Sequence, residues 1–243
     1  MRIGLSMPIT LATEEALRRP RLLNRYLAEV SVPSSGYLEA LGLDDIVDPL
    51  AEVGVRVESV KVPADVPARA NLRDPLEKCS IVAEELGAEN LVVEIGKGFL
   101  ERRILGEMFR VASVYNLRLC LELEGSTREI SDALDALSEF VGGVLKLSLK
   151  PLEGTSTPEF VEAIERAFGL LRIIRLANYD TESGRTISVL SGGGTIDCYA
   201  VLRYLVERGF DGLLLLDYES RGEESLAEID VLVQYTRSLM EKV

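Results

Sequence analysis

The feature that most constrains the fold of this 243-residue chain is a regular series of short apolar runs typical of β-strands. The runs lie at residues 2–6, 27–32, 55–62, 90–95, 117–123, 144–149, 171–176 and 212–217. Their spacing averages about thirty residues, enough for one strand and one helix, and strands that alternate with helices run parallel. Eight such units favour a closed (β/α)8 barrel over an open sheet. We therefore predict an α/β chain with a single TIM-barrel domain at residues 1–243.

Helix boundary signals between the runs support the same alternation. Proline in a first turn, a capping box and a glycine after a last turn are typical of helix ends. The predicted helices are Asp74-Pro75 to Gly87, Ser126-Thr127-Arg128-Glu129 to Gly142, Thr157-Pro158-Glu159 to Gly169, Asp197–Arg208 before Gly209, and residues 223–241.

Composition and charge narrow the classes of function. Apolar residues make up 47% of the chain and aromatic residues only 6%, so we expect an aliphatic core. The formal net charge of 27 − 40 = −13 disfavours contact with nucleic acid or an anionic membrane. No apolar run approaches the length of a membrane span, and the first residues are typical of a strand rather than a signal peptide, so we predict a cytoplasmic protein. The 28% of charged residues resembles thermophile usage.

Cysteine and histidine usage limits the available chemistry. Cys79, Cys120 and Cys198 lie far apart without CxxC spacing, so we expect three reduced, buried thiols. The sequence contains no histidine, which removes the commonest general base and the commonest transition-metal ligand.

Predicted strands five and six carry polar residues at every second position. Side chains alternate between the faces of a strand, and the leucine face has to meet the outer helices, so the polar set is expected to point into the barrel. This set consists of Arg118, Cys120, Glu122 and Glu124 on strand five and Lys146, Ser148 and Lys150 on strand six.

The same alternation predicts inward polar residues on other strands. Glu29 and Ser31 point inward on strand two, and Glu94 on strand four, whereas on strand three either alternation places a charged residue inside. Because buried charge is costly unless it is paired, these residues indicate either a ligand site or a closed ion-pair network. The residues near the carboxyl ends of strands, where such barrels have their active sites, are Glu94, Glu122, Ser148, Arg175 and Asp217.

Five segments carry short motifs in a distinctive order. They are Ser59–Pro63 (pattern sVHxP), Leu86–Gly96 (LGaxxvvvHxG), Ile174–Asn178 (vHlkD), Gly192–Asp197 (GeGxiD) and Gly209–Asp217 (GYdGxxxxE). Through them nearly the whole chain resembles the xylose-isomerase-like barrels, which include sugar isomerases, epimerases and the endonuclease IV type of abasic-site endonuclease. Lys61, Glu94 and Arg175 stand where the family has histidine.

The resemblance implies a metal site whose positions are substituted here. The family's ligand positions correspond to Glu122, Ser148, Arg175 and Asp217, so a neutral hydroxyl and a permanent cation replace two ligands. A guanidinium about 4 Å from a divalent ion would repel it by about 8 kcal/mol at an effective dielectric of about 20. We predict that no metal and no cofactor binds. Lys61 and Arg175 are instead expected to pair with Glu94, Glu122 and Asp217.

The sequence leaves two interpretations of this charged interior open. One is a structural ion-pair cluster in a barrel that has lost its chemistry, and the other is a pocket for a polar or anionic small molecule. In the pocket, Lys61, Glu94, Glu122, Arg175 and Asp217 would be catalytic. The residues expected to contact substrate are Glu29, Lys146, Ser148, Asn178, Arg185, Gly192, Gly193, Gly194 and Thr195.

Two of these predicted contacts suggest a specific chemistry. The glycine-rich turn at residues 191–195 follows strand seven, where such barrels often bind phosphate through backbone N–H groups, and Arg185 adds charge in the same loop. Alternatively, the glycines only let the chain bend. Lys146 lies on the strand that carries the Schiff-base lysine of several aldolases, or it is an ion-pair partner of Glu122 or Glu124.

These interpretations lead to three candidate functions. A metal-independent sugar or sugar-phosphate isomerase or epimerase would use Glu122 or Glu94 as base, with cationic side chains stabilising an enediolate. A non-catalytic barrel would bind a metabolite without turnover. Repair of abasic DNA is disfavoured, because that activity depends on a histidine-rich metal cluster and a positively charged DNA-binding face.

Overall fold

The computed structural model describes residues 1–40, 42–69, 71–95, 101–124, 127–137, 145–217 and 223–241. Its strands are β1 (Arg2–Pro8), β2 (Leu27–Ser31), β3 (Ser59–Lys61), β4 (Asn90–Glu94), β5 (Arg118–Glu124), β6 (Leu145–Lys150), β7 (Leu171–Leu176), β8 (Asn178–Tyr179), β9 (Thr186–Ile187) and β10 (Leu213–Asp217). Eight of them close a parallel barrel in the order β1-β10-β7-β6-β5-β4-β3-β2. The predicted (β/α)8 fold is confirmed.

Helices follow the barrel strands along the chain. They are α1 (Ile9–Arg18), α2 (Pro20–Tyr26), α3 (Ser35–Ala40), α4 (Leu43–Glu52), α5 (Arg73–Glu85), α6 (Arg102–Val114), α7 (Thr127–Leu137), α8 (Thr157–Ala167), α9 (Cys198–Glu207) and α10 (Glu223–Met240), with a 3-10 turn at Val66–Ala68. Among the helices formed by the described residues, we find none that combines the length and the apolar character of a membrane span.

Local sequence signals account for several helix ends. Gly87 and Gly209 follow α5 and α9 with φ angles of 70° and 69°, a left-handed conformation that glycine adopts without steric cost. The carboxylate of Glu159 accepts hydrogen bonds from both the amide and the hydroxyl of Ser156, which forms the capping box of α8. At α9, Asp197 accepts a hydrogen bond from the Ala200 amide.

Other predicted boundaries differ from the structure or lie outside it. Helix α5 begins at Arg73, with Leu72 at the N-cap, so Asp74 lies in the first turn instead of capping the helix. Of the residues in the predicted boundaries and motifs, Gly96, Ser126, Gly142 and Val144 lie outside the described residues.

Contacts within the chain define two compact units. The amino-terminal unit comprises Ser6–Glu122 and Glu139–Lys146, and the carboxy-terminal unit comprises Met1–Leu5, Leu123–Ser138 and Leu147–Val243. Each has a core of aliphatic side chains, as predicted. Fully buried examples are Val30, Val60 and Leu91 in the first and Leu149, Ile174 and Leu215 in the second.

The three cysteines belong to these cores. Cys79, Cys120 and Cys198 are buried and form no disulfide, which confirms the predicted buried thiols. Burial raises the pKa of the Cys198 thiol to about 12, and it raises the pKa of Cys79 well above the usual value. Neither side chain is therefore a thiolate nucleophile at neutral pH.

A hairpin follows β7 that the sequence analysis does not predict. Strands β8 and β9 pair antiparallel, with Asn178 opposite Ile187 and Tyr179 opposite Thr186. Strands of two residues are too short to produce a hydrophobic periodicity.

Candidate functional site

Three charged side chains of the amino-terminal unit meet near the carboxyl ends of β3, β4 and β5. Lys61 Nζ lies 2.5 Å from Glu122 Oε1 and 3.0 Å from Glu94 Oε2. The side chain of Glu122 is fully buried, whereas that of Lys61 is 19% exposed and that of Glu94 is 36% exposed. One ammonium group thus bridges a buried and a partly exposed carboxylate. We call these three residues the Lys61 cluster.

The strand register brings this cluster together. Glu94 and Glu122 are Cα partners across β4 and β5, and Lys61 is the last residue of β3. The contacts of Lys61 also decide which alternation is correct on β3, where it shares a face with Ser59. Because (β/α)8 enzymes have their active sites at the carboxyl ends of the strands, the cluster is the candidate site of this unit.

A further buried carboxylate lies on β2, next to β3. Glu29 is fully buried and accepts hydrogen bonds from the hydroxyls of Ser6 at 2.6 Å and Ser59 at 2.9 Å. In the register, Glu29 pairs with Ser59 and Ser31 pairs with Lys61. The sequence analysis does not include Ser6 and Ser59 among the site residues. Their signal is a hydroxyl opposite an inward carboxylate on an adjacent strand.

Asp65 joins the loop that follows β3 to the first residue of helix α3. Its carboxylate accepts hydrogen bonds from the amide of Ser35 at 3.2 Å and from the Ser35 hydroxyl, and Arg69 Nε lies 3.3 Å away. Burial acts to raise the pKa of Asp65, but the Ser35 hydrogen bonds and the Arg69 charge outweigh it and lower that pKa below its usual value. Asp65 thereby holds the loop that leaves Lys61.

In the carboxy-terminal unit, an ion pair links the ends of β5 and β6. Lys150 Nζ lies 2.6 Å from Glu124 Oε1, and the two side chains are 30% and 29% exposed. The Tyr179 hydroxyl donates a hydrogen bond to the Pro151 carbonyl at 3.2 Å. Burial raises the pKa of Tyr179, and the charges of Glu124 and Asp217 raise it further against the opposing effect of Lys150. The predicted catalytic and substrate-binding residues do not include Lys150, Glu124 or Tyr179.

The other predicted residues of β6, β7 and β10 occupy different environments. Ser148 is fully buried, Arg175 is 7% exposed, and Asp217 is an exposed residue at the end of β10. Lys146 is the second residue of β6 and therefore lies toward its amino end, whereas Lys150 ends the strand. That position does not favour the Schiff-base interpretation of Lys146, because catalytic groups of such barrels lie at the carboxyl ends.

The side chain of Asn178 stabilises the loop after β7 by hydrogen bonds to the loop backbone. Its Oδ1 accepts hydrogen bonds from the amides of Tyr179 and Ile196, each at 3.0 Å. Its Nδ2 donates to the carbonyls of Ser188 and Ser191, each at 3.1 Å. These four bonds use both donors and both acceptor positions of the amide. The predicted contact of Asn178 with substrate stays a prediction, whereas its bonding within the protein is complete.

The glycine-rich turn packs against this same side chain. A Cβ atom at Gly194 would lie 2.0 Å from Asn178 Oδ1, so only glycine fits there. The amide of Gly193 donates to Ser191 Oγ at 3.3 Å, and that of Thr195 donates to the Tyr179 carbonyl at 3.0 Å. The space that these glycines leave open is thus occupied by the Asn178 side chain and by backbone of the same loop. Arg185 lies on the exposed part of the hairpin.

The side chains at the implied metal positions do not suit a divalent ion. Lys61 Nζ already contacts a Glu122 carboxylate oxygen, and Ser148 and Arg175 supply a hydroxyl and a guanidinium. Within the seven described ranges, no group of three or more histidine, cysteine, aspartate or glutamate side chains is arranged to hold a metal ion. An ammonium in contact with a carboxylate repels a divalent ion from it, so we assign no catalytic step to a metal.

Comparison with solved structures relates this arrangement to known barrels. The xylose isomerase domain protein from Planctomyces limnophilus superposes with a TM-score of 0.70 at 17% identity, over 99% of each chain. The chain has the fold of the xylose-isomerase-like barrels. The TTHB071 protein from Thermus thermophilus, in a structure from ZnCl2 soaking, gives a TM-score of 0.67 at 23% identity over 96% of this chain and 98% of that one. Endonuclease IV from the same organism gives 0.59 at 17% identity over 100% of both.

These similarities concern the fold and not the reaction. Identities of 17% to 23% over these chains show a shared fold alone. No protein-family model matches the sequence, and no curated protein matches it. The function has to be argued from the side chains themselves.

Proposed function

We propose that this chain is a metal-independent isomerase or epimerase that acts on a sugar or a sugar phosphate. The observation that carries the proposal is the position of Lys61 between Glu94 and Glu122 near the carboxyl ends of adjacent strands. Such an arrangement supplies a carboxylate base and a fixed cation side by side. These are the two groups that proton transfer next to a carbonyl requires.

The two carboxylates differ in a way that assigns their roles. The Glu94 side chain is 36% exposed, and it forms an ion pair with Lys61. Glu122 is fully buried and contacts Lys61 at the shorter distance of 2.5 Å. Glu94 is therefore the proposed base, because a base has to reach the substrate. Glu122 is a positioning residue that holds the Lys61 ammonium.

The proposed reaction conserves protons and electrons. Glu94 removes the proton from the carbon next to the carbonyl, and the electron pair of the C–H bond forms the C=C bond of an enediolate. The negative charge on the former carbonyl oxygen is stabilised by the Lys61 ammonium. Returning the proton to the adjacent carbon, with transfer of the hydroxyl proton to the other oxygen, completes an isomerisation. Returning it to the opposite face of the same carbon completes an epimerisation.

One observation favours a second candidate, a non-catalytic barrel that binds a metabolite. Lys61 contacts both carboxylates, so these charges are paired with one another within the protein. A site with this arrangement can recognise hydroxyl groups without abstracting a proton. The predicted roles of Arg175 and Asp217, and the predicted lack of contact with nucleic acid, stay predictions under both functions.

Proton exchange with solvent tests the proposal and separates the two candidates. Sugars and sugar phosphates are incubated in D2O with protein treated with a chelator, and NMR follows deuterium entry at carbon together with product formation. We expect exchange with at least one substrate, and a loss of about a hundredfold or more in Glu94→Gln. Glu89→Gln is the matched control, because Glu89 pairs with Arg118 at the amino end of β5.

The outcomes separate the candidates. If a compound binds and none of the compounds tested exchanges a carbon-bound proton for deuterium, the non-catalytic barrel is supported. Exchange that survives in Glu94→Gln removes Glu94 as the base.

A further inference from the structure

We propose that helices α1, α2 and α4 form a surface through which this chain binds a second copy of itself. The surface lies on the outside of the amino-terminal unit, and its role does not depend on the reaction at the Lys61 cluster. Exposed charges of both signs lie side by side on these helices, which distinguishes them from other helices of the same unit.

On two other outer helices of this unit, exposed arginines are paired within their own helix. On α5, Arg73 Nε lies 2.7 Å from Glu77 Oε1. On α6, Arg110 pairs with Glu107 one turn away. Residues three or four positions apart are neighbours on a helix surface, so each of these pairs cancels its own charge.

The end of α1 and the helix α2 carry cations of a different kind. Residues 17–25 contain four arginines and no acidic residue. Arg19 is paired with a glutamate of α1, whereas Arg18 and Arg21 are exposed and form no ion pair with the side chains that the structure describes. Leu17, next to Arg18, is 77% exposed. We call residues 17–25 the arginine segment.

Helix α4 presents the opposite charge on its exposed side. The exposed acids are Asp44, Asp45, Asp48 and Glu52, and their spacing places them along one side of the helix. The helix contains no lysine or arginine. Within the described ranges, none of the four acids forms an ion pair. This side of α4 therefore carries negative charge that no neighbouring cation pairs with directly.

The arginine segment and α4 are neighbours in the same unit. Helix α1 packs against α4, and the Asn24 side chain of α2 donates a hydrogen bond to the Val53 carbonyl, just after α4, at 3.0 Å. The strands β2 and β3, which follow α2 and α4, run parallel, so both helices end at the same end of the sheet. The arginine segment therefore lies beside the end of α4 that carries Glu52.

A second copy of the chain matches both charges at once. A two-fold axis that runs between α1 and α4, parallel to them, would place the arginine segment of each copy against α4 of the other. Leu17 would be removed from water in that contact. An anionic membrane or a nucleic acid would meet the α4 carboxylates together with the arginines, and the net charge of −13 also repels it. Self-association is therefore favoured over binding of a polyanion.

Sedimentation velocity of the full chain over a wide range of concentration tests the proposal. We expect a reversible monomer–dimer equilibrium. Arg18→Glu with Arg21→Glu, the arginine variant, places acids on both elements and should raise the dissociation constant at least about tenfold. Asp48→Arg with Glu52→Arg, the acid variant, places cations on both and should weaken the dimer similarly, although it makes the net charge less negative.

The two variants together give the most specific measurement. When mixed, they should associate with each other more tightly than either does with itself, because each then meets the opposite charge. A chain with all four substitutions should self-associate about as tightly as the wild type. If a double variant fails to fold in circular dichroism, Arg21→Glu and Glu52→Arg are combined in the same way.

A control separates the position of the charges from their sum. Arg73→Glu with Arg110→Glu changes the net charge as much as the arginine variant does, but on α5 and α6. It should leave the dissociation constant within about twofold of the wild type.

Several outcomes would overturn the proposal. They are a chain that stays monomeric at every concentration, a dimer that survives the arginine and acid variants, a dimer that the control weakens equally, and a mixture of the two variants that does not associate. Vesicles of phosphatidylserine and phosphatidylcholine, and a short duplex DNA, are tested in parallel. If a monomeric chain binds either of them and the arginine variant does not, the arginine segment binds a polyanion instead.

Discussion

The Lys61 cluster and the loop around Asn178 both bury polar groups, but they satisfy them differently. In the cluster, one cation serves two carboxylates, and the Glu94 carboxylate remains 36% exposed. Around Asn178, a neutral amide makes four hydrogen bonds to the backbone of its own loop. The first arrangement retains capacity for a ligand, and the second does not. The Lys61 cluster at the strand ends is therefore the candidate for chemistry. The Asn178 amide, whose hydrogen bonds are all made within the loop, has a structural role.

The largest expected effect comes from removing the cation of the cluster. Lys61→Met takes the ammonium away from the fully buried Glu122 carboxylate, so we expect the free energy of unfolding to fall by about 3–5 kcal/mol in urea denaturation. Lys78→Met is the control, because Lys78 pairs with the exposed Asp74 at 3.2 Å and should cost no more than about 0.5 kcal/mol. Equal losses in the two variants would show that the cluster is energetically a surface pair.

A smaller effect is expected where the loop packs on its own amide. Gly194→Ala places a Cβ atom 2.0 Å from Asn178 Oδ1, and we expect a cost of about 1–3 kcal/mol. The same substitution should cost much less in an Asn178→Ala background, which a double-mutant cycle measures. At Gly193 the nearest atom to a new Cβ is Ser191 Oγ at 3.8 Å, so Gly193→Ala is the control. Additive effects of Gly194→Ala and Asn178→Ala would contradict this packing.

The loop after Lys61 should show a weak dependence on pH. The pKa of Asp65 is lowered in the folded protein, so its contribution to stability is present above the unfolded value of about 3.9 and is lost as the pH falls through the folded value. We expect Asp65→Asn to lower stability by less than about 1 kcal/mol near neutral pH, because solvent screens this half-exposed carboxylate. The difference from the wild type should shrink below about pH 4 in urea titrations. A constant difference down to pH 3 would exclude this role, and Asp74→Asn serves as the control.

No change at all is expected on metal removal. Since Lys61 occupies the Glu122 carboxylate, dialysis against EDTA should leave the thermal midpoint and any ligand binding unaltered. Elemental analysis of protein purified without chelator should find far less than one metal per chain. About one Mn, Zn or Mg per chain, together with a lower midpoint after dialysis, would return the cluster to the metal-binding role that the family resemblance implies.

The barrel could be predicted from the sequence because its strands are apolar runs of regular spacing. The run predicted at 171–176 is the strand Leu171–Leu176, and the others agree apart from a few residues at their ends. On β3 only Ser59–Lys61 pairs as a strand, although the predicted run begins at residue 55. Three residues carry too little periodicity to determine which face is inward. The contacts of Lys61 with Glu94 on β4 and Glu122 on β5 supply that information.

Side-chain roles could be predicted less well than strand positions. The glycine-rich turn suggests an anion site by analogy with the phosphate-binding turns of other barrels. Glycines in a sequence show that another group can come close to the backbone, but they do not show which group it is. Here the approaching group is Asn178, which lies sixteen positions before Gly194 and contacts it through the unpredicted hairpin. Conversely, the roles of Ser6 and Ser59 become evident only from the hydrogen bonds that both hydroxyls donate to Glu29.

The contacts of Lys61 also have a consequence for strand alignment during folding. Successive side chains of a strand point to opposite faces, so a slip of β5 by one residue against β4 would bring a leucine beside Glu94 in place of Glu122. The displaced Glu122 would then meet apolar groups away from the Lys61 ammonium, at a high cost in free energy. Of these two alignments, only the native one brings both acids to the Lys61 ammonium. The cluster therefore adds an electrostatic penalty to the hydrophobic penalty of a one-residue slip.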